Sequence, residues 1–205
     1  MSRARRLWLV RHPRPLVEPG ICYGVSDLPA DPLDTVRAAQ ALAGALPARC
    51  RLFVSALRRA QQLAQAVQAL RPELPVARVE PRLNEIDFGC WEMQAWDGIE
   101  RSAFDAWTAD FARHRFGGRE SVAELLQRVE AALAQALVPG PGEEGVADLV
   151  WITHAGVIRA LAHLQACPDR LPATAGHWPR EAPAFGQWRI VDLDQCFPLL
   201  PRVFL

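Results

Sequence analysis

A chain of 205 residues can bury a core without disulfides or metals, and it reads as one domain over residues 1–205 with an aromatic-rich helical insertion at about 91–120. Its 23 basic and 23 acidic side chains cancel, which argues against a polyanion or an anionic membrane surface as partner. All the basic side chains are arginine, so Schiff-base chemistry on a lysine is excluded and any anion site must use Arg, His or backbone N–H groups.

Arg3, Arg5 and Arg6 precede an apolar run too short for a signal peptide, and no run approaches the length of a transmembrane helix. Cys22, Cys50, Cys90, Cys167 and Cys196 are scattered without C-x-x-C spacing, which predicts free thiols and a cytoplasmic location.

Leu7-Trp8-Leu9-Val10 predicts a strand buried on both faces, closed by Arg11-His12-Pro13. The loop 13–30 follows, rich in Pro and Gly and long enough to suggest a functional segment. Asp31-Pro32 predicts an N-cap and first-turn proline, with Leu33, Val36, Ala39, Ala43 and Leu46 as the apolar face of the helix. Leu52-Phe53-Val54 is the next strand. Ser55 is the expected N-cap of the helix after it, which carries Arg58 and Arg59 in its first turn. Cations are unfavourable there unless an anion lies in front of them.

Residues 76–79 predict a short strand, with Glu85 in the irregular stretch behind it. Trp91, Trp96, Phe104, Trp107, Phe111 and Phe116 fall in the insertion and are expected mostly to pack on one another. Ser121 and Glu124 match a capping box ahead of an amphipathic helix from Val122 to Leu137. A Pro/Gly-rich loop at 139–145 leads to the strand Leu149–Thr153, which ends in His154, and a helix follows. Residues 188–191 form the last strand, and 199–205 are a candidate edge. Strands and helices alternate, so a three-layer α/β/α sandwich with a mainly parallel sheet is expected.

In a parallel sheet Arg11, His12, the Ser55–Arg59 segment and His154 fall on one edge, with Glu85 close by. A histidine can accept a phosphoryl group on a ring nitrogen, arginines and a second imidazole can stabilise the equatorial oxygens, and a carboxylic acid can protonate the leaving alcohol. No phosphate-binding glycine loop, dinucleotide fingerprint or metal-ligand spacing is present. His114, His163 and His177 are expected to be surface or packing residues. No cofactor and no metal are expected.

Five segments in order resemble the histidine phosphatase superfamily, the phosphoglycerate-mutase-like fold. They are Leu9-Val10-Arg11-His12, Ser55-Ala56-Leu57-Arg58-Arg59-Ala60, Leu83-Asn84-Glu85 through Gly89-Cys90-Trp91-Glu92, Gly118-Arg119-Glu120-Ser121, and Thr153-His154-Ala155-Gly156-Val157-Ile158-Arg159. The resemblance implies a metal-independent phosphomonoesterase in which His12 becomes phosphohistidine. Arg11, Arg59 and His154 would hold the phosphate, and Glu85 would be the proton donor. A phosphoglycerate-type mutase and a catalytically impaired phospho-ligand-binding protein are the alternatives.

Three departures stand out: Pro13 replaces the glycine that usually follows the histidine, Pro15 and Glu18 replace a common Thr and Asn, and Met93 replaces the glycine after Trp91-Glu92. The loop that reads substrate is therefore expected to differ, with Arg14, Cys22 and Tyr23 as its candidate contacts. Gly20-Ile21-Cys22-Tyr23-Gly24 and Asp27-Leu28-Pro29 resemble the α-ribazole-phosphate phosphatase branch of cobalamin assembly. The expected partner is a small phosphorylated substrate, with no nucleic acid and no membrane, and with a homodimer left open.

Overall fold

Leu7, Trp8, Leu9 and Val10 are all buried, as a strand covered on both faces requires. The structure, a computed structural model, describes residues 6–138, 148–167 and 171–193; the expected loop at 139–145, Cys196 and the candidate edge at 199–205 lie outside them. The strands are β1 (Arg6–Arg11), β2 (Cys50–Val54), β3 (Arg78–Val79), β4 (Asp148–Thr153) and β5 (Trp188–Asp192). They form one sheet in the order β3-β2-β4-β1-β5. β1 and β2 both pair parallel with β4, β3 pairs parallel with β2, and β5 closes the other edge antiparallel to β1.

Strand side chains alternate between two cores. Leu7, Leu9, Phe53, Leu149 and Trp151 face helices α4 (Val122–Leu137) and α5 (Ala155–Ala166). Trp8, Val10, Leu52, Val54, Val150 and Ile152 face α1 (Pro32–Ala45) and α2 (Arg58–Leu70). The result is the three-layer sandwich. At the start of β4, Asp148 is buried and accepts from Arg6 Nε at 3.0 Å and Trp8 Nε1 at 3.1 Å, so this carboxylate is paired.

Local signals act where expected. Asp31 accepts from Asp34 N at the start of α1, and Ser121 with Glu124 completes the capping box of α4. Three expectations are corrected. The buried face of α1 is Thr35, Ala38, Ala39, Leu42 and Ala43, whereas Leu33 and Val36 are exposed. The small side chains suit the side of α1 that meets α2. The N-cap of α2 is Leu57, not Ser55, which is drawn away into the site described below. Of residues 76–79 only Arg78 and Val79 join the sheet, as an exposed edge, and Val76 is left in solvent.

In the insertion, α3 (Arg101–Ala109) and short 3₁₀ turns gather aromatic rings around Phe116. Ile21 bridges to Ala95, which ties the loop 13–30 to the insertion. Met93, beside it, has φ 64° while its N–H donates to Cys22 O at 2.8 Å. A left-handed conformation costs a side-chain-bearing residue about 1 kcal/mol or more. Since Met93 is half exposed, little packing is lost with its side chain. Met93→Gly is expected to stabilise the fold by about 0.5 kcal/mol, after the extra unfolded-state freedom of glycine is set against the relief of strain. A higher urea midpoint at unchanged slope is the expected reading; a lower midpoint would show that the position is not strained.

Candidate active site

Because β1, β2 and β4 run parallel, their carboxyl ends share one edge, where open α/β sheets bind ligands. His12 N–H donates to Thr153 O at 3.0 Å and Ser55 N–H to Ile152 O at 3.0 Å, so these strand ends are locked together. His12, Ser55, Arg59 and His154 are all buried there, and the two imidazoles lie 4.9 Å apart between centroids.

The hydrogen bonds set the tautomer of each ring. His12 Nδ1 lies 2.6 Å from Pro13 O, which can only accept, so Nδ1 carries the proton. Nε2 is left with a lone pair, and Arg59 Nε–H points at it from 3.3 Å. Pro13 lacks an N–H, but the group used here is its carbonyl, which proline keeps.

For His154 the order starts at a backbone amide. Ala56 N–H donates to Asn84 Oδ1 at 2.8 Å, which makes that atom an acceptor. Ser55 Oγ–H then donates to the same Oδ1 at 2.8 Å, and Ser55 Oγ accepts from His154 Nε2–H at 2.7 Å. His154 Nδ1 is left buried and unpaired among the described residues, as is Arg11 Nε. Burial above all, then Arg59, holds His12 well below the usual imidazole range, with Arg11 adding to the effect and the Pro13 carbonyl opposing it. Burial, His12 and the arginines do the same to His154.

Arg11 lies 3.9 Å over the ring of Phe185 and donates from NH1 to Pro183 O at 3.1 Å. Arg59, wholly buried, donates from NH1 to Ser26 O at 2.7 Å and from NH2 to Gly24 O at 2.6 Å. Burial lowers the pKa of both arginines from the ordinary value. Glu92 grips the same loop from its amide side. It accepts from the N–H groups of Gly24 at 2.9 Å, Val25 at 3.2 Å and Ser26 at 3.1 Å, and from the Ser26 hydroxyl. Gly24 has no alternative in this packing, since a Cβ there would sit 1.8 Å from Ile86 O.

Glu85 is held by Gly156 N–H at 3.0 Å and Ile86 N–H at 3.0 Å, which sets its carboxylate at the start of α5. A Cβ on Gly156 would fall 2.0 Å from Glu85 Oε1. Arg128 of α4 fixes the segment from behind. It donates to the carbonyls of Arg82 at 2.7 Å, Asn84 at 2.7 Å and Glu85 at 3.1 Å, and is itself paired with Glu120 at 2.6 Å.

Arg11, His12, Tyr23, Glu85, Gly156 and Arg159 open onto one cleft of about 490 Å³. The structure thus brings together His12, Arg11, Arg59, His154 and Glu85. Two loop candidates fall elsewhere. Arg14 points outward and pairs with Asp34 at 3.3 Å, while Cys22 is sealed in the aromatic cluster, its thiol pushed up to about 12 by burial. Tyr23 does line the cleft. His163 is buried as a packing residue and His177 is exposed.

Asn84, Arg128, Phe185 and the anchoring role of Glu92 escaped the sequence reading. Glu92 had a signal, as a carboxylate within a matched segment; Phe185, in an irregular stretch, had none. Among the described residues no three His, Cys, Asp or Glu side chains gather as a metal site would need, and no helix is long and apolar enough to cross a membrane.

The chain is similar in fold to several solved structures. TTHB049 from Thermus thermophilus is 30% identical, with 91% of this chain and 93% of that one covered at a TM-score of 0.65. A mycobacterial glucosyl-3-phosphoglycerate phosphatase is 27% identical over 91% of this chain and 89% of its own, at 0.71. The structure described as mycobacterial hydrolase 1 is 26% identical over 92% and 91%, at 0.74. No curated protein matches the chain. The model of the histidine phosphatase superfamily (branch 1) matches residues 7–176, and the chain belongs to that superfamily.

Proposed function

We propose that the protein is a metal-independent phosphomonoesterase that works through a phosphohistidine on His12. The superfamily and the phosphatase neighbour support phosphoryl chemistry of the phosphatase or mutase type. The observation that carries the finer reading is the state of His12: a neutral ring, its proton fixed on Nδ1, with the Nε2 lone pair beside two arginines and a second histidine.

The Nε2 lone pair attacks phosphorus, the bond to the alcohol oxygen breaks, and Glu85 gives that oxygen its proton. The Arg59–His12 bond that must yield is long and weak. Arg11, the remaining N–H groups of Arg59, and His154 hold the equatorial oxygens. A dianion placed against Nδ1 of His154 favours a proton there, so the ring then donates on both sides. Water next attacks the phosphohistidine while Glu85 takes its proton, the N–P electron pair returns to Nε2, and phosphate leaves with Glu85 again protonated. Among small phosphate esters, the loop sequence suggests α-ribazole 5′-phosphate.

His12→Ala is expected to abolish turnover and phosphoenzyme formation. Trapping with labelled substrate and peptide mapping reads this directly, and label on any other residue would sink the mechanism.

The depressed histidines also shape stability. Their folded pKa values lie below the unfolded value of about 6.5, so between the two the unfolded chain binds more protons. Stability is therefore full above about pH 6.5 and declines as pH falls below it. Urea midpoints should drop between pH 7.5 and 5.5, and the drop should shrink in His12→Gln. An equal drop in wild type and variant would show that His12 is not held neutral.

Glu85→Gln is expected to slow enzyme phosphorylation by alkyl phosphates roughly 10²–10⁴-fold, the range for a general acid. Phosphorylation by p-nitrophenyl phosphate should suffer much less, because nitrophenolate leaves unprotonated. The pre-steady-state burst separates this step from the later attack of water. Equal losses with both substrates would remove Glu85 from the acid's role.

A further inference from the structure

A large share of the cleft's lining is aromatic. Phe88, Trp96, Phe104, Trp107, Phe111 and Trp178 all line it. The first four pack against the fully buried Phe116, as a layer over an anchor. Trp107 stacks on Phe116 at 4.5 Å and on Phe111 at 5.5 Å between centroids, and Phe111 meets Trp178 at 6.1 Å. The rings hold one another in place, so the wall is formed before any ligand arrives. Yet Phe88, Trp96, Phe104, Trp107 and Trp178 remain only partly buried, which leaves apolar surface facing a cavity.

Polar partners are scarce on that wall. The Thr108 hydroxyl is turned to its own helix, 2.9 Å from Phe104 O. Besides Arg11 the cation lining the cleft is Arg159, which lies near enough to Arg11 for the two charges to repel, and its Nε donates to Arg180 O at 3.2 Å. A sugar or glycerol bound here would leave hydroxyls without partners, which costs affinity. A flat apolar group would cover the exposed ring faces instead.

We infer that the ring-lined part of the cleft is a leaving-group subsite that selects phosphomonoesters whose alcohol carries an aromatic ring, over polyol and carboxylate-bearing phosphates. This rests on the phosphatase reading of the same site, so binding and turnover are tested apart. Calorimetry with 2-phenylethylphosphonate, ethylphosphonate and (2-carboxyethyl)phosphonate reads the subsite without turnover. The phenyl compound is expected to bind at least roughly tenfold tighter than ethylphosphonate, the scale of discrimination in apolar pockets.

Trp107→Ala and Trp178→Ala should shrink that ratio and leave ethylphosphonate binding unchanged. If Trp107→Ala does not fold, Trp178→Ala, on an irregular segment outside the cluster around Phe116, decides. In turnover, kcat/KM for 2-phenylethyl phosphate should exceed that for ethyl phosphate by a similar factor, and both leaving groups are primary alcohols with equal need of a proton. Equal phosphonate affinities, preference for the carboxylate compound, or a ratio that survives in both variants would overturn the inference. A retained affinity ratio with no turnover of either ester supports the subsite and sinks the phosphatase reading.

Discussion

A guanidinium with no solvent contact must find its partners inside the protein, and the site is organised around meeting that demand for Arg59. Among the described residues no carboxylate is hydrogen-bonded to it. Its charge is carried by the carbonyls of Gly24 and Ser26, and the N–H groups of the same stretch run to Glu92. The peptide groups lie between a cation and an anion and are polarised by both. Through them the loop 13–30 is pinned beside His12, and Tyr23 is placed in the wall of the cleft. Were Arg59 missing, the loop would lose its carbonyl partners and His12 its nearest cation at once.

The same balance explains why the histidines are neutral. Two arginines and burial leave no room for a further positive charge among them. Within the site, Arg11 Nε and His154 Nδ1 are then groups with hydrogen-bonding capacity left over among the described residues. On the proposed reading a bound oxyanion would use this capacity, and a ligand that binds only the folded form stabilises it by an amount that grows with the logarithm of its concentration over Kd.

Much of this was legible in the chain. Continuous apolar runs gave β1, β2 and β4, and polar residues at their ends gave His12, Arg59 and His154, because strand direction alone brings those ends together. What was misread depended on distant partners. Ser55 has the chemistry of an N-cap, but Asn84 and His154 claim its hydroxyl from 29 and 99 residues away. Leu33 and Val36 outrank alanine in apolarity, yet α2 packs on the alanine side. Arg14 and Cys22 lie in a loop without periodicity, where nothing local says which way a side chain points. Phe185 comes from a stretch whose Gly186 N–H reaches back to the Arg11 and His12 carbonyls, a contact made only on folding.

Gly156 has a consequence for how such a protein drifts. Glu85 Oε1 occupies the space where any larger residue would put its first carbon. Replacement by alanine would displace the carboxylate, since the three atoms nearest that carbon all belong to Glu85. On the mechanism proposed above, one exchange of the smallest kind would thus separate holding the phosphate group from releasing it, and turn an enzyme into a receptor. The route back is equally short, so the two kinds of protein are neighbours in sequence space.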